Sequence, residues 1–225
     1  MARTRIKICG LTREADVDAA VDAGADAVGF VLWSGSARHV ESTRAAALAA
    51  RLPPFVTPVL LFVNATASEL AAGLSEVPHA MVQFHGDETP TQCEAAGRPY
   101  LRAARMADGF DLLDFAASWR AESALMRALL LDAHSPGYGG AGKVFDWSRI
   151  PPSVPCPVVL SGGLSPANVT DGVLAVRPFA VDVSSGVEQA KGIKDAGLMR
   201  RFCEAVREAD ARLAEQAGSA AAPMP

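Results

Sequence analysis

Short apolar runs and alanine-rich amphipathic stretches alternate along this chain from end to end. The apolar runs, at 5–8, 27–31, 59–62, 81–84, 100–103, 129–132, 158–160 and 180–183, have the length and composition of strands. Between them, 14–23, 43–51, 67–74, 91–96 and 166–176 show the apolar spacing of helices that pack by one face. A fifth helix over 111–120, with 125–127 beyond it, fits the same pattern less cleanly. Eight strands, each followed by a helical segment, predict parallel pairing through crossover helices. An open doubly wound sheet and a closed barrel both satisfy that alternation. Closure is favoured because an open sheet of eight strands leaves two edges to protect. No GxGxxG follows the first strand, which weakens the dinucleotide-binding alternative. The expectation is therefore an α/β chain forming a single (β/α)8 TIM barrel of the phosphate-binding type over residues 1–212. Residues 213–225, rich in Ala, Gly and Pro towards the end, are expected to form a disordered tail.

Alternation in the first strand puts Ile6 and Ile8 on one face and Lys7 with Cys9 on the other. Gly10 ends the strand, and Thr12 is the expected N-cap of a helix beginning near Arg13. A lysine and a cysteine facing the same way at a strand end suit a reactive site. The alternative is a buried thiol that only fills space.

Barrel active sites lie at the C-terminal ends of the strands and in the loops that follow. Those positions hold Cys9, the stretch 33–39 with Arg38 and His39, Asn64, His85, Asp132, Ser161-Gly162-Gly163, and Asp182 through Gly186. The loops after strands seven and eight are rich in Gly and Ser. Their backbone N–H groups predict a phosphate cradle at Gly162, Gly163, Ser184, Ser185 and Gly186, against the plainer reading of tight turns. A helix start is expected at Ser165-Pro166. Asp132 closes the apolar run Leu129-Leu130-Leu131, a setting that disfavours the charged carboxyl and suits an acid. It could equally brace a loop. The glycine-rich stretch 136–142 beside it reads as a mobile cover.

Arg38 has the fork that grips a carboxylate, or forms a surface ion pair. His85 points near the site, although a lone histidine is more often a hydrogen-bonded structural group. His79 stands at the wrong end of a strand, and His39 and His134 are loop residues without an assigned use. Trp33 could line a pocket; Trp119 and Trp147 read as packing residues. Strand eight closes against strand one. Lys7 and Asp182 therefore either pair and set the field around Cys9, or contact the ligand separately.

Composition narrows the function without choosing it. Half the residues are hydrophobic and a fifth charged, ample for a core. A net charge of -4 argues against a nucleic-acid partner. No apolar stretch is long enough for a bilayer, so no membrane partner and a cytoplasmic location are expected. Cys9, Cys93, Cys156 and Cys203 show neither CxxC nor zinc spacing, which predicts reduced thiols and no metal. The expected partner is a small phosphorylated substrate, with no cofactor and with the chain a monomer or a homodimer.

In this order the motifs resemble the phosphoribosylanthranilate isomerase family of tryptophan biosynthesis. The resemblance runs from Lys7-Ile8-Cys9-Gly10 through Phe62-Val63-Asn64, Gln83-Phe84-His85-Gly86 and Leu131-Asp132. It continues with Phe145-Asp146-Trp147, Leu160-Ser161-Gly162-Gly163 and Asp182-Val183-Ser184-Ser185-Gly186-Val187-Glu188. Phe84, Ala141 and Ala190 depart from the family's usual Leu, Thr or Ser, and Pro. The resemblance implies an Amadori rearrangement of N-(5′-phosphoribosyl)anthranilate to 1-(2-carboxyphenylamino)-1-deoxyribulose 5-phosphate. It also implies Cys9 as base, Asp132 as acid, Arg38 on the anthranilate carboxylate and Asp182 near the ribose. Positive charge from Lys7 is expected to favour the Cys9 thiolate. The related isomerase of histidine biosynthesis looks to have a carboxylate ending strand one, so Cys9 speaks against it. A flavin-binding barrel and a catalytically silent phosphosugar-binding barrel are the remaining alternatives.

Overall fold

Eight parallel strands close into a barrel in sequence order, and the last pairs back to the first. They are β1 (Arg5–Cys9), β2 (Ala27–Val31), β3 (Thr57–Phe62), β4 (Met81–Phe84), β5 (Tyr100–Met106), β6 (Met126–Ala133), β7 (Val158–Leu160) and β8 (Ala180–Val183). The computed structural model describes residues 3–133 and 144–220. Around the barrel lie α1 (Glu14–Ala23), α2 (Ser42–Ala49), α3 (Ala67–Glu76), α4 (Pro90–Glu94), α5 (Leu112–Glu122), α6 (Val169–Val176) and α7 (Ala196–Ala220). A small antiparallel ribbon, β9 (Glu188–Ala190) with β10 (Ile193–Lys194), sits between β8 and α7. Among the described residues, no helix is long and apolar enough to cross a membrane.

The two-residue period of each strand sorts its side chains into two cores. Ile6, Ile8, Val28, Phe30, Leu60 and Phe62 face outward and bury the inner sides of the helices. Leu101, Ala103, Ala128, Leu130, Val159 and Ala180 fill the lower lumen. Above them Cys9, Val31, Leu61 and Val63 form a smaller inner cluster against which Trp33 packs. Small residues at β1 and β2 let the strands approach: a Cβ on Gly29 would lie 2.6 Å from the Cys9 sulfur. Gly29 stands directly beside Cys9 in the ladder.

Several local expectations need correction. Thr12 does not cap α1; Arg13 holds the N-cap position and pairs with Asp16 at 2.6 Å. The Thr12 hydroxyl instead donates to Gly192 O at 2.7 Å, because the β8–α7 connection folds over this end. Not every strand is followed by an α-helix. After β6 the described residues form only a 3₁₀ turn, Trp147–Arg149. Residues 126 and 127, placed near the fifth helix by pattern, open β6. The helix after β7 begins at Val169 rather than near Pro166, because Asn168 folds its side chain into the loop. There its Oδ1 accepts from Ser165 N and its Nδ2 donates to Gly163 O, at 2.8 and 3.0 Å. The last helix continues through Ala220, beyond residue 212. The glycine-rich stretch 136–142 and His134 lie outside the described residues.

Candidate active site

Polar side chains gather where the strands end. β1 delivers Lys7 and Cys9 to the lumen, both buried, and β8 delivers Asp182 opposite Lys7 in the ladder. Lys7 Nζ donates to Asp182 Oδ1 at 2.7 Å, so of the two expectations for these residues the structure has the pair. Ser161 Oγ reaches the other carboxylate oxygen at 3.4 Å. Burial alone would lower the Lys7 pKa, but Asp182 and Cys9 outweigh it and hold the ammonium charged.

The Cys9 thiol differs from expectation. Burial pushes its pKa up, and the opposing pull of Lys7 and Lys194 does not compensate, partly because Asp182 acts against it. The positive charge of Lys7 is present but shared with a carboxylate.

Asp132, near the end of β6, is also buried and faces inward. His85, just past β4, places Nε2 3.0 Å from Asp132 Oδ2, and Gln83 Nε2 lies 3.0 Å from His85 Nδ1. With the amide nitrogen facing it, Nδ1 accepts, and Nε2 then carries the hydrogen shared with Asp132. The other Asp132 oxygen accepts from Ala133 N at 2.9 Å. Gly162 is pressed against this group: a Cβ there would lie 2.5 Å from Ala133 N and 3.1 Å from Asp132 Oδ1.

Gly162 and Gly163 both take positive φ, 78° and 65°, which turns the loop after β7 sharply upward. In the loop after β8, Ser184 precedes the 3₁₀ turn Ser185–Val187. A Cβ on Gly186 would collide with Leu164 O, so the two loops meet as one lip at the barrel mouth. All five residues expected to cradle a phosphate thus lie on adjoining loops. Ser184 is the exception in availability, since Lys194 Nζ donates to both its carbonyl and its hydroxyl, at 3.0 and 3.3 Å.

Arg38 comes from the loop after β2, beneath which Gly10 leaves room: a Cβ on Gly10 would lie 2.5 Å from Arg38 Cδ. Its Nε and Nη2 donate to the two oxygens of Glu188 at 2.7 and 2.8 Å. Lys194 donates to the same carboxylate at 2.9 Å. Burial would raise the Glu188 pKa, yet Arg38 and Lys194 hold it below the ordinary range. Lys194 itself is pushed down by burial despite Glu188.

Gln83, Glu188 and Lys194 are the residues whose roles sequence reasoning missed. Gln83 and Glu188 stand inside quoted motifs, but nothing local marks either as a support. Lys194 carries no signal, since only the ribbon's fold brings it under Ser184. His79 ends up before β4, away from this mouth, and Trp119 is buried under Arg102, as packing requires. His39 Nε2 lies 3.8 Å from exposed Glu41.

Both the sequence and the fold have counterparts among known proteins. The family model described as N-(5'phosphoribosyl)anthranilate (PRA) isomerase matches residues 6–205. The N-(5'-phosphoribosyl)anthranilate isomerase of Methylibium petroleiphilum is 71% identical over 212 residues, which cover 94% of this chain and 98% of the relative. That of Leptothrix cholodnii is 69% identical over 211 residues, 94% of each chain. The crystal structure of phosphoribosyl anthranilate isomerase from Thermotoga maritima superposes with a TM-score of 0.82 at 39% identity, covering 91% and 99% of the two chains. A structure of such an isomerase in complex with reduced 1-(o-carboxyphenylamino)-1-deoxyribulose 5-phosphate gives 0.79 at 35% identity, over 91% of this chain and 99% of that one.

Proposed function

The chain belongs to the N-(5′-phosphoribosyl)anthranilate isomerase family and catalyses that isomerisation in tryptophan biosynthesis, and from this premise we propose that Cys9 is its base and Asp132 its acid. The observation that carries the assignment is the pair of buried, inward-facing groups at the ends of β1 and β6. Asp132 is also the group to which His85 is hydrogen-bonded. Simple binding of a phosphosugar would need neither.

The substrate's phosphate is held at the lip formed by Gly162, Gly163, Ser185 and Gly186, with Ser184 behind it. Glu188 takes the Nε and Nη2 edge of Arg38, which turns the Nη1 edge to the anthranilate carboxylate. Two anchored ends then place the ribose between Asp132 and Cys9, the orientation a unimolecular rearrangement needs. Asp132 gives its proton to the ribose ring oxygen as the bond from C1′ to that oxygen breaks. The nitrogen lone pair forms the Schiff-base cation. Cys9 as thiolate takes the C2′ proton, and the resulting enolamine tautomerises to the ketone. Lys7 and Lys194 already oppose the effect of burial on the thiol, and the Schiff-base cation adds positive charge when the base must act. Lys7 and Asp182 stand as a neutral pair beside the ribose.

The four cysteines are all free, which suits a reducing compartment, and we place the enzyme in the cytoplasm as a monomer or homodimer. The test is the fluorescence decay of freshly made phosphoribosylanthranilate with Cys9→Ala and Asp132→Asn. Each proton-transfer group is typically worth about 10²–10⁴-fold in rate, so each variant should lose at least a hundredfold in kcat while still binding a reduced product analogue. Retained turnover in either would remove that residue from the chemistry.

A further inference from the structure

Gln83 holds an atom that the mechanism leaves unused. The side chain is fully buried on the inner face of β4, and its Oε1 has no hydrogen-bond partner among the described residues. Its Nε2 has one contact, His85 Nδ1 at 3.0 Å. Turned by half a rotation, the same amide would present Oε1 to Nδ1 and leave its nitrogen unpaired instead. Each orientation leaves one amide group unsatisfied, so the difference between them lies at the ring. An amide nitrogen needs a bare Nδ1; an amide oxygen needs a protonated one.

We infer that Gln83 is a positioning residue that sets how many protons the His85–Asp132 pair holds, through which of its amide atoms faces His85 Nδ1. With Nε2 towards the ring, Nδ1 is bare and one proton lies between His85 Nε2 and Asp132. With Oε1 towards the ring, Nδ1–H donates to it and a second proton remains between Nε2 and Asp132. That second proton is the one Asp132 delivers to the ribose ring oxygen. Delivery leaves Nδ1–H in place and Nε2 bare, and a proton from solvent at the mouth reloads the pair. Cys9 takes one proton from C2′ for each that Asp132 gives and releases it to solvent before the next turnover, so the protons balance over a cycle.

Among the described residues, the charged groups on the strands around the pair are themselves engaged. Arg105, beside Asp132 in the ladder, pairs with Asp87 from the loop after β4. Lys7 and Asp182 pair across β1 and β8, and Glu88 pairs with Arg102 behind β4 and β5. Cys9 is the remaining titratable group at this level of β1. Gln83 is thus the neutral contact on the far side of the ring from the acid.

The inference rests on Asp132 being the acid, and the experiment separates the two. The full chain, labelled with ¹⁵N-histidine, is titrated while His85 is followed by NMR, with His85→Asn assigning its signals. In the wild type His85 should carry hydrogen on Nε2 alone at alkaline pH and on both nitrogens as pH falls, and kcat should rise with the same midpoint. Gln83→Met removes the acceptor at similar volume, so a buried N–H would go unpaired. Midpoint and alkaline limb should both move down by about one pH unit, about tenfold in the loaded pair at a given pH, with KM little changed. Gln83→Glu supplies only an acceptor and should move both up. A wild-type His85 that carries its alkaline hydrogen on Nδ1 overturns the inference, whatever the variants do. So does an unchanged midpoint in folded Gln83→Met and Gln83→Glu. A midpoint that moves while kcat does not would uphold the role of Gln83 and reject Asp132 as the acid.

Discussion

Arg38 and Glu188, 150 residues apart, meet side-on through two bonds of 2.7 and 2.8 Å. The carboxylate thereby fixes the plane of the guanidinium and directs its remaining edge. Glu188→Gln keeps the shape but removes the charge, and two charge-assisted bonds become weaker neutral ones. The expected result is a fall in kcat/KM of about tenfold, about 1.4 kcal/mol, carried mostly by KM. Steady-state kinetics against phosphoribosylanthranilate checks it, and an unchanged KM would separate Glu188 from carboxylate capture.

Lys7 and Asp182 form a buried ion pair whose single removal strands a charge. Lys7→Met should destabilise by about 3–5 kcal/mol, read from the urea midpoint, because Asp182 then lies buried without its partner. Lys7→Met combined with Asp182→Leu should recover most of that loss, since no isolated charge remains. Stability equal to wild type in the single variant would show that the pair contributes nothing to the fold.

Gly29→Ala tests how tightly Cys9 is seated. The new Cβ would stand 2.6 Å from the sulfur, so the thiol must move. Overpacking of this kind typically destabilises by about 1–3 kcal/mol. The expected outcome is that loss together with a fall in kcat larger than the change in KM, because the displaced group is the base rather than a binding contact.

Alkaline pH should weaken the fold ahead of any chemical damage. Burial raises the pKa of Cys93 from 9.0 to about 12 and that of Cys203 from 9.0 to about 11. A raised acid pKa means the folded state keeps a proton that the unfolded chain releases. The stabilisation is complete below pH 9 and is lost as pH rises from 9 towards 11 and 12. At pH 10 each thiol should have withdrawn about 1.4 kcal/mol, and urea unfolding at pH 8 and pH 10 measures the difference. Cys203→Ser should flatten part of that slope.

Much of this was legible in the sequence. The two-residue period in each strand, with helical spacing between, determined parallel strands with crossover helices and which side chains share a face, while the edges of an open sheet favoured the closed barrel. Together they also determined that Cys9, His85, Asp132 and Asp182 stand at one mouth with the glycine loops of β7 and β8. Those are consequences of local backbone geometry, which short stretches of sequence encode. The boundary at Thr12 was missed because the distant Gly192 carbonyl takes its hydroxyl, and that at Pro166 because Asn168 folds its side chain back into its own loop.

The tertiary structure alone decided the partners. Closure joins Lys7 to Asp182 across 175 residues, and the ribbon after β8 carries Glu188 and Lys194 to Arg38 and Ser184. It also decided the state of the Cys9 thiol, because desolvation depends on everything packed around a group, and no neighbour in the chain reports that. Gln83 shows the division most plainly: the strand pattern turns it inward, but only the assembled lumen leaves its Oε1 without a partner among the described residues.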